Sequence, residues 1–594
     1  MARLSKKTPS VCTDNPLSKS EVNRKITLMR EILDSSFGPN GRLKQIHNNV
    51  GGHVLTTSTS SSLLQAFYSS EPLLKLINAS ILNHVSRFSD CGLYVGILCL
   101  SLIKHVQESD LRPSVAISMN KHLLELCTSY LKHEDCNCKV TIDLGSCRSL
   151  VTLARSVISS KPGSMLTEKE KQHIGTLTVH AFLLTVPDGE TSDTVRLGRT
   201  VMVAMEGQSV LDSAVFHGLL VDVPDVLLHS IHAERITLRP GPFRLALFSV
   251  SLSGDLSALG KGSLEVPSGA PDPEDVVLEQ LLGLGEQVVN NQVDVFMCQR
   301  VIHPVLQQYL RKHGVLVIER LGIALIDPIV QMTGAQAVAS YQTPISPEAY
   351  GQVKGICVRT VGPRILLHLL PPEEPASTIC TMVVCHRNET MLNELKSAIQ
   401  KAEHVLRLTL RDPVALLGGG CTETLLAAYC RNKGTSEAMD ASSSMGVSRS
   451  EYLLGLHAFC LSLESVALAL DHDGGTSLID LTHAHCWYIP SGQAPQSGTL
   501  PLVETSQWGN EAPPTCGCGI VERRTRPEQG MGLEWTLLNC RYPPFTPTPL
   551  VGDATSAPQP RVLDSFTAKF NALQVAVETA NLILGIRFII QDVN

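Results

Sequence analysis

The sequence predicts a multidomain chain of α and α/β character, in which one α/β domain is inserted into a helical domain whose two halves pack together. Three observations carry this reading. Helical periodicity fills the first part of the 594 residues. Between about 196 and 370 apolar strands alternate with helices, the pattern of an α/β layer domain. Helical periodicity then returns, and a final helix near the C-terminus again shows one apolar stripe.

The elements follow in order. Ser18-Lys19-Ser20-Glu21 reads as a capping box. Behind it Val22, Ile26, Met29 and Leu33 share one helix face, and Gly38 closes that helix. Gly51-Gly52 and the serine/threonine run 56–62 read as a hairpin or extended turn. Helices are expected over 73–85, 93–106 and 123–131. The second is apolar nearly all round and belongs at the centre of a core. Shorter helices fit about 145–185. The segments 200–204, 244–250, 293–298 and 315–318 read as strands, with helices at 276–289, 304–312 and 328–333. Pro371-Pro372-Glu373-Glu374-Pro375 then punctuates the chain. Helix resumes at 390–409, with Leu392, Leu395, Ile399, Ala402 and Leu406 buried, and continues at 422–430 and 451–470. From about 487 to 560 the chain is rich in Pro, Gly, Ser and Thr and reads as a loop or insertion, partly mobile. In the last helix, Phe566, Phe570, Leu573, Val577, Ala580 and Leu584 recur at steps of three and four.

Composition narrows the function. Hydrophobic residues make up 43% and charged residues 18%, which fits a folded chain rather than a disordered one. Aromatics at 4% and a net charge of −7 argue against nucleic acid as a partner, since stacking platforms and a basic groove are both lacking. The main basic cluster, Arg523-Arg524-Thr525-Arg526, reads as a solvated loop. The first seven residues lack the apolar run of a signal peptide. The longest apolar run, 91–103, is too short to span a bilayer. A soluble intracellular protein without a membrane span is expected. Its 18 cysteines would then be reduced and mostly buried. Cys136/Cys138 and Cys516/Cys518 are C-x-C pairs without a second pair at zinc-site spacing, so no metal site is expected.

One stretch organises the functional reading. Phe37-Gly38-Pro39-Asn40-Gly41-Arg42-Leu43-Lys44 ends a helix in a tight glycine turn followed by basic residues. Glycine lets backbone approach a polyanion, although most such turns are only turns. Phe88-Ser89-Asp90-Cys91-Gly92, Gly418-Gly419-Gly420-Cys421-Thr422-Glu423 and Val577-Glu578-Thr579-Ala580-Asn581-Leu582-Ile583-Leu584 follow it. In this order and at these separations the set resembles the group II chaperonins, ring ATPases of archaea and of the eukaryotic cytosol, over nearly the whole chain. The resemblance implies a subunit with helical equatorial, small intermediate and α/β apical domains. The boundaries are equatorial-like 1–144, intermediate-like 145–195, apical-like 196–370, intermediate-like 371–412 and equatorial-like 413–594, with the insertion at about 487–560. Residues 207–213 and 218–222 look like the first strands of the family's apical domain, and Thr333-Gly334-Ala335 like its Thr-Gly-Ala. The family's lid falls on 251–275. Gly254, Gly260, Gly262, Pro267, Pro271 and Pro273 disfavour a helix pair there, so the lid is expected to be truncated or irregular.

The resemblance also places a nucleotide cleft, for ATP and Mg²⁺, at Gly38, Pro39, Gly41, Asp90, Gly418, Gly419 and Gly420. Its chemistry is altered. The family's Asn-Asp-Gly falls on Ser58-Thr59-Ser60. Its Gly-Asp-Gly-Thr-Thr falls on Ser89-Asp90-Cys91-Gly92-Leu93, leaving only the aspartate, a metal ligand in the family. Its hydrolytic aspartate, counted from Glu394, falls on Lys401, and a charged lysine cannot take a proton from water. No Gly-x-x-x-x-Gly-Lys-Ser/Thr loop is present, against a P-loop NTPase. A degenerate ATPase is therefore expected, with no catalytic residue, no required cofactor and at most vestigial nucleotide binding. The residues alone offer Asp90 a second role, as N-cap of the apolar helix after it. His84 and His404 read as packed or surface residues, and Asp471-His472-Asp473-Gly474-Gly475 as a helix-ending turn.

The function expected is that of a chaperonin-like protein that assists folding or assembly of particular partners without efficient hydrolysis. The resemblance implies subunits of the Bardet-Biedl ciliary trafficking complex, sibling chaperonin-like proteins and the cytosolic chaperonin as partners. It also implies a location in cytoplasm and at the centrosome or ciliary basal body. The alternative is an active ATP-dependent chaperonin subunit. A plain enzyme built on the α/β segment is disfavoured, because no acid, base and nucleophile converge there.

Overall fold

The computed structural model describes residues 10–47, 54–134, 136–187, 197–222, 242–254, 273–372, 378–472, 476–480, 484–489, 515–519 and 561–592. Two compact units emerge: Met1–Val179 with Glu389–Asn594, and His180–Asn388.

The first unit is built around the helix Gly92–Glu108, whose residues from Tyr94 to Ile103 are all buried. A segment this apolar gains most when covered on every side. Helices Ser20–Asp34, Pro72–Phe88, Arg449–Leu468 and Phe566–Gly585 pack against it. The two halves of the unit are joined polar group to polar group as well. Asn120 Nδ2 on the helix Pro113–Lys132 donates to Asn581 Oδ1 at 2.9 Å, both buried. Ser10–Asp14 pairs antiparallel with Phe588–Asp592. Val414–Leu417 runs antiparallel between Lys139–Thr141 and Leu563–Ser565.

Among the described residues one helix, Arg449–Leu468, is long and apolar enough to cross a membrane by length and composition. It carries Glu464, buried and paired with Arg431 of the helix Cys421–Ser436, and most of its length lies inside the unit.

The second unit holds a five-stranded sheet. Leu316–Ile318, Val295–Cys298, Phe243–Phe248 and Ala337–Val338 are parallel neighbours, and Gly351–Val353 joins Phe243–Phe248 antiparallel. Successive side chains face opposite sides. Leu245, Leu247, Val295 and Met297 share a core with Ile326, Ile329 and Met332 of the helix Ile323–Thr333. Ala246, Phe248, Phe296 and Cys298 share another with Leu281, Leu284, Leu306 and Leu310, from the helices Pro273–Asn290 and Pro304–Lys312. Burial on both faces explains why these strands read as near-continuous apolar runs. Ile379–His386, buried throughout, runs parallel to Arg199–Glu206 and antiparallel to Ala214–His217.

Several local expectations need correction. The capping box at Ser18 does not form. Pro16–Ser18 is a 3₁₀ turn, and the helix starts at Ser20 behind Lys19 with no side-chain cap. The serine/threonine run splits: Lys44–His47 and Val54–Thr57 pair antiparallel, and Ser60–Ala66 is already helix. The strand Ile379–His386 lies outside the expected strands, because it is buried at every position and its one internal polar residue, Thr381, makes no alternation. Most of the lid region, 255–272, and most of the insertion, 490–514 and 520–560, lie outside the described residues.

Candidate functional site

A cavity of about 790 Å³ lies within the first unit. Gly38, Pro39, Asp90, Gly419 and Gly420 line it, so five of the seven expected residues converge. Gly41 and Gly418 are not in the lining. Nor are the basic residues after the turn; Lys44 Nζ instead donates to the Arg42 carbonyl at 2.9 Å. In the turn, Gly41 N–H donates to the Gly38 carbonyl at 3.1 Å. Gly38 has φ +78°, which favours glycine, and a Cβ there would lie 2.5 Å from Leu470 Cδ2, so the end of that side chain would have to move.

The segment after Phe88 keeps a glycine-type backbone without the glycines. Ser89 has φ 60° and Cys91 φ 59°, on either side of Asp90. L-residues pay roughly 1–2 kcal/mol for this left-handed geometry. Asp90 is not the N-cap expected of it: that position belongs to Cys91, and no side-chain cap forms. Its carboxylate accepts from Lys161 Nζ at 3.1 Å, with both side chains largely buried. Burial alone would raise its pKa, but Lys161 and the Cys91 backbone outweigh burial and hold the carboxylate below its usual range. Ser89 Oγ is 2.5 Å from His404 Nδ1.

Lys401 lies on the helix Glu389–Arg411, 7% exposed, and its Nζ has no hydrogen-bond partner among the described residues. Burial, reinforced by Lys161 and opposed by Asp90 and Glu394, brings its pKa down from 10.5 to about 7. The premise of a fully charged lysine therefore needs correcting: near neutral pH the amine is partly uncharged. Lys401 is not among the residues that line the cavity.

Three features were not foreseen. Glu394, on the same helix, ties down the loop where the family's Asn-Asp-Gly would fall. It accepts from Thr57 Oγ1 at 2.5 Å, Ser58 N at 3.1 Å, Ser58 Oγ at 3.2 Å and Thr59 Oγ1 at 3.2 Å. Second, Lys569 pairs with Glu423 and Asp564, each at 2.5 Å, and all three line the cavity. Burial disfavours its charge, but the two carboxylates outweigh burial and hold the ammonium well above the ordinary lysine range. Third, Gly519 and the Cys516-Gly517 pair reach the cavity from the Pro/Gly-rich segment. A Cβ on Gly419 would lie 2.1 Å from the Gly517 carbonyl, and one on Gly418 2.7 Å from Val562 Cγ1. These glycines serve close packing of protein on protein. The Cys516/Cys518 pair, expected to lack further metal ligands, has Cys421 and His485 beside it.

His84 is buried as expected, against Phe88, and burial lowers its pKa to about 4. His472 Nε2 lies 2.6 Å from the Phe37 carbonyl, tying the segment after the helix Arg449–Leu468 to the glycine turn.

The model of the TCP-1/cpn60 chaperonin family matches residues 29–485. Proteins named molecular chaperone MKKS from Homo sapiens and Pongo abelii are each 42% identical over 596 aligned positions, covering the whole of both chains. A thermosome subunit beta from Desulfurococcus mucosus is 23% identical over 463 positions, 76% of this chain and 85% of the relative.

Proposed function

This chain belongs to the TCP-1/cpn60 chaperonin family, and from that premise we propose that it assists folding or assembly of particular protein partners without efficient ATP hydrolysis. The observation that carries the second half is the pair of lysines around Asp90. The one carboxylate left from the family's metal-binding pattern pairs with Lys161 at 3.1 Å, and in sequence a lysine, Lys401, falls where the resemblance puts the hydrolytic aspartate. Phosphoryl transfer needs a carboxylate-held Mg²⁺ and a group that orients the attacking water. A dication brought to Asp90 would compete with Lys161, and no carboxylate stands at 401. Other cavity cations are also paired internally: Lys171 with Glu168 at 2.7 Å, and Lys569 with Glu423 and Asp564. Loss of one oriented acid/base group typically costs about 10²–10⁴ in rate.

On this reading ATP and Mg²⁺ are not required cofactors, and the α/β unit serves as a surface for protein partners. The partners are subunits of the Bardet-Biedl ciliary trafficking complex, sibling chaperonin-like proteins and the cytosolic chaperonin, met in the cytoplasm and at the centrosome or basal body. The naming of the full-length relatives as molecular chaperones supports this direction. The test is co-precipitation of those subunits with the full chain and with Asp90→Ala, with and without ATP. Recovery should be the same in all four conditions. Recovery that needs ATP and is lost in Asp90→Ala would favour the active-subunit alternative.

A further inference from the structure

We propose that Cys421, His485, Cys516 and Cys518 form a Cys₃His site for a structural zinc ion. The inference does not depend on whether the cleft binds nucleotide. All four residues are buried, and one ligand atom from each lies within 4.8 Å of every other. Cys516 is at the centre: its sulfur is 3.0 Å from Cys518 Sγ, 3.6 Å from Cys421 Sγ and 3.2 Å from His485 Nδ1. Zinc holds sulfur at about 2.3 Å and imidazole nitrogen at about 2.0–2.1 Å, so tetrahedral ligand atoms lie roughly 3.3–3.8 Å apart. The cluster already has nearly that size. The sulfur spacing is far from the ~2.05 Å of a disulfide, and none of the three cysteines is in one. Three thiols and an imidazole crowded together in a buried place make weak hydrogen bonds to each other, whereas a zinc ion would satisfy all four at once.

Three separate pieces of chain supply the ligands. Cys421 is the first residue of the helix Cys421–Ser436. His485 opens the strand His485–Ile489, which pairs through Trp487 with Cys516. Gly517 separates the two remaining cysteines and donates its N–H to the Cys486 carbonyl at 2.8 Å. The ion would thus fasten the 515–519 segment onto the Gly418–Gly420 turn, holding the Gly517 carbonyl against Gly419. Because such a site assembles only on folding, metal binding and folding of this region are linked.

The test uses the full-length chain made in a reducing cytosol and purified through gel filtration with a mild chelator. Elemental analysis should find close to one zinc per chain. The double variant Cys518→Ser/His485→Gln should retain less by about tenfold or more, since two of four ligands are gone. Cys136→Ser, which alters the other C-x-C pair, should retain the full amount. Should the double variant fail to fold, exchange of the wild-type metal for Co²⁺ gives an independent reading. A thiolate-to-cobalt charge-transfer band with intense visible d–d bands is expected from a tetrahedral, sulfur-rich site. Wild-type protein with only trace metal and no such spectrum would overturn the proposal, as would zinc retained undiminished by the folded double variant.

Discussion

Ser89 and Cys91 show how a glycine turn survives the loss of its glycines. Both hold left-handed φ angles that the local chain cannot prefer, so packing of the segment around Asp90 must impose them. Returning glycine at Cys91 should remove that penalty. Cys91→Gly is expected to stabilise the protein by about 1 kcal/mol in urea denaturation; a loss of stability would mean the Cys91 side chain matters more than its backbone. Lys401 is a second such residue. Its folded pKa of about 7 lies below the ordinary 10.5, so between these values the unfolded chain binds more protons. Its contribution therefore destabilises the fold most below pH 7 and fades as pH rises toward 10.5. Lys401→Met should stabilise by on the order of 3 kcal/mol at pH 7 or below, with the gain vanishing near pH 10.5. A gain independent of pH would contradict the buried-charge account. His84 acts in the same direction on the acid side, because its buried ring resists the proton that the unfolded chain accepts.

At the scale of elements, the helix Glu389–Arg411 buries two charged side chains, Glu394 and Lys401. It presents Glu394 to the 57–59 loop and Lys401 toward Asp90. Glu394→Ala would strand buried donors on Thr57, Ser58 and Thr59, so a cost of about 2–4 kcal/mol is expected. Faster hydrogen exchange confined to the strand Val54–Thr57 and the following helix would report the same loss; unchanged exchange there would contradict it. Legibility in the sequence follows the physics of each element. The helix Gly92–Glu108 was plain because a core helix is apolar on every side, and the stripe of the helix Phe566–Gly585 because one face meets the core. The strand Ile379–His386 was hidden because burial on both faces removes the alternation that marks a strand. Ser18 looked like a cap, but Pro16 placed a 3₁₀ turn there first. The Cys516 cluster was invisible to spacing rules. Its partners lie 31 and 95 residues away, brought in by a strand and a helix terminus rather than a local loop.

At the scale of the whole molecule, the order helical, α/β, helical appears in the fold as one unit made from both ends of the chain and a second made from its middle. Five of the seven cleft residues inferred from motif order share one cavity, because the glycine turns and Asp90 are fixed by backbone geometry that sequence motifs report well. The internal ion pairs of that cavity were not legible. Lys161, Lys569 and Glu423 come from different elements, and only the folded chain shows which carboxylate neutralises which amine. Asp90 faces Lys161, and Glu423 and Asp564 face Lys569, across that cavity, and the proposed loss of hydrolysis rests on these pairs. The most direct test is steady-state ATP turnover by the purified full-length chain with Mg²⁺. The account predicts a rate indistinguishable from buffer and from Asp90→Ala; a rate above background that disappears in Asp90→Ala would contradict it.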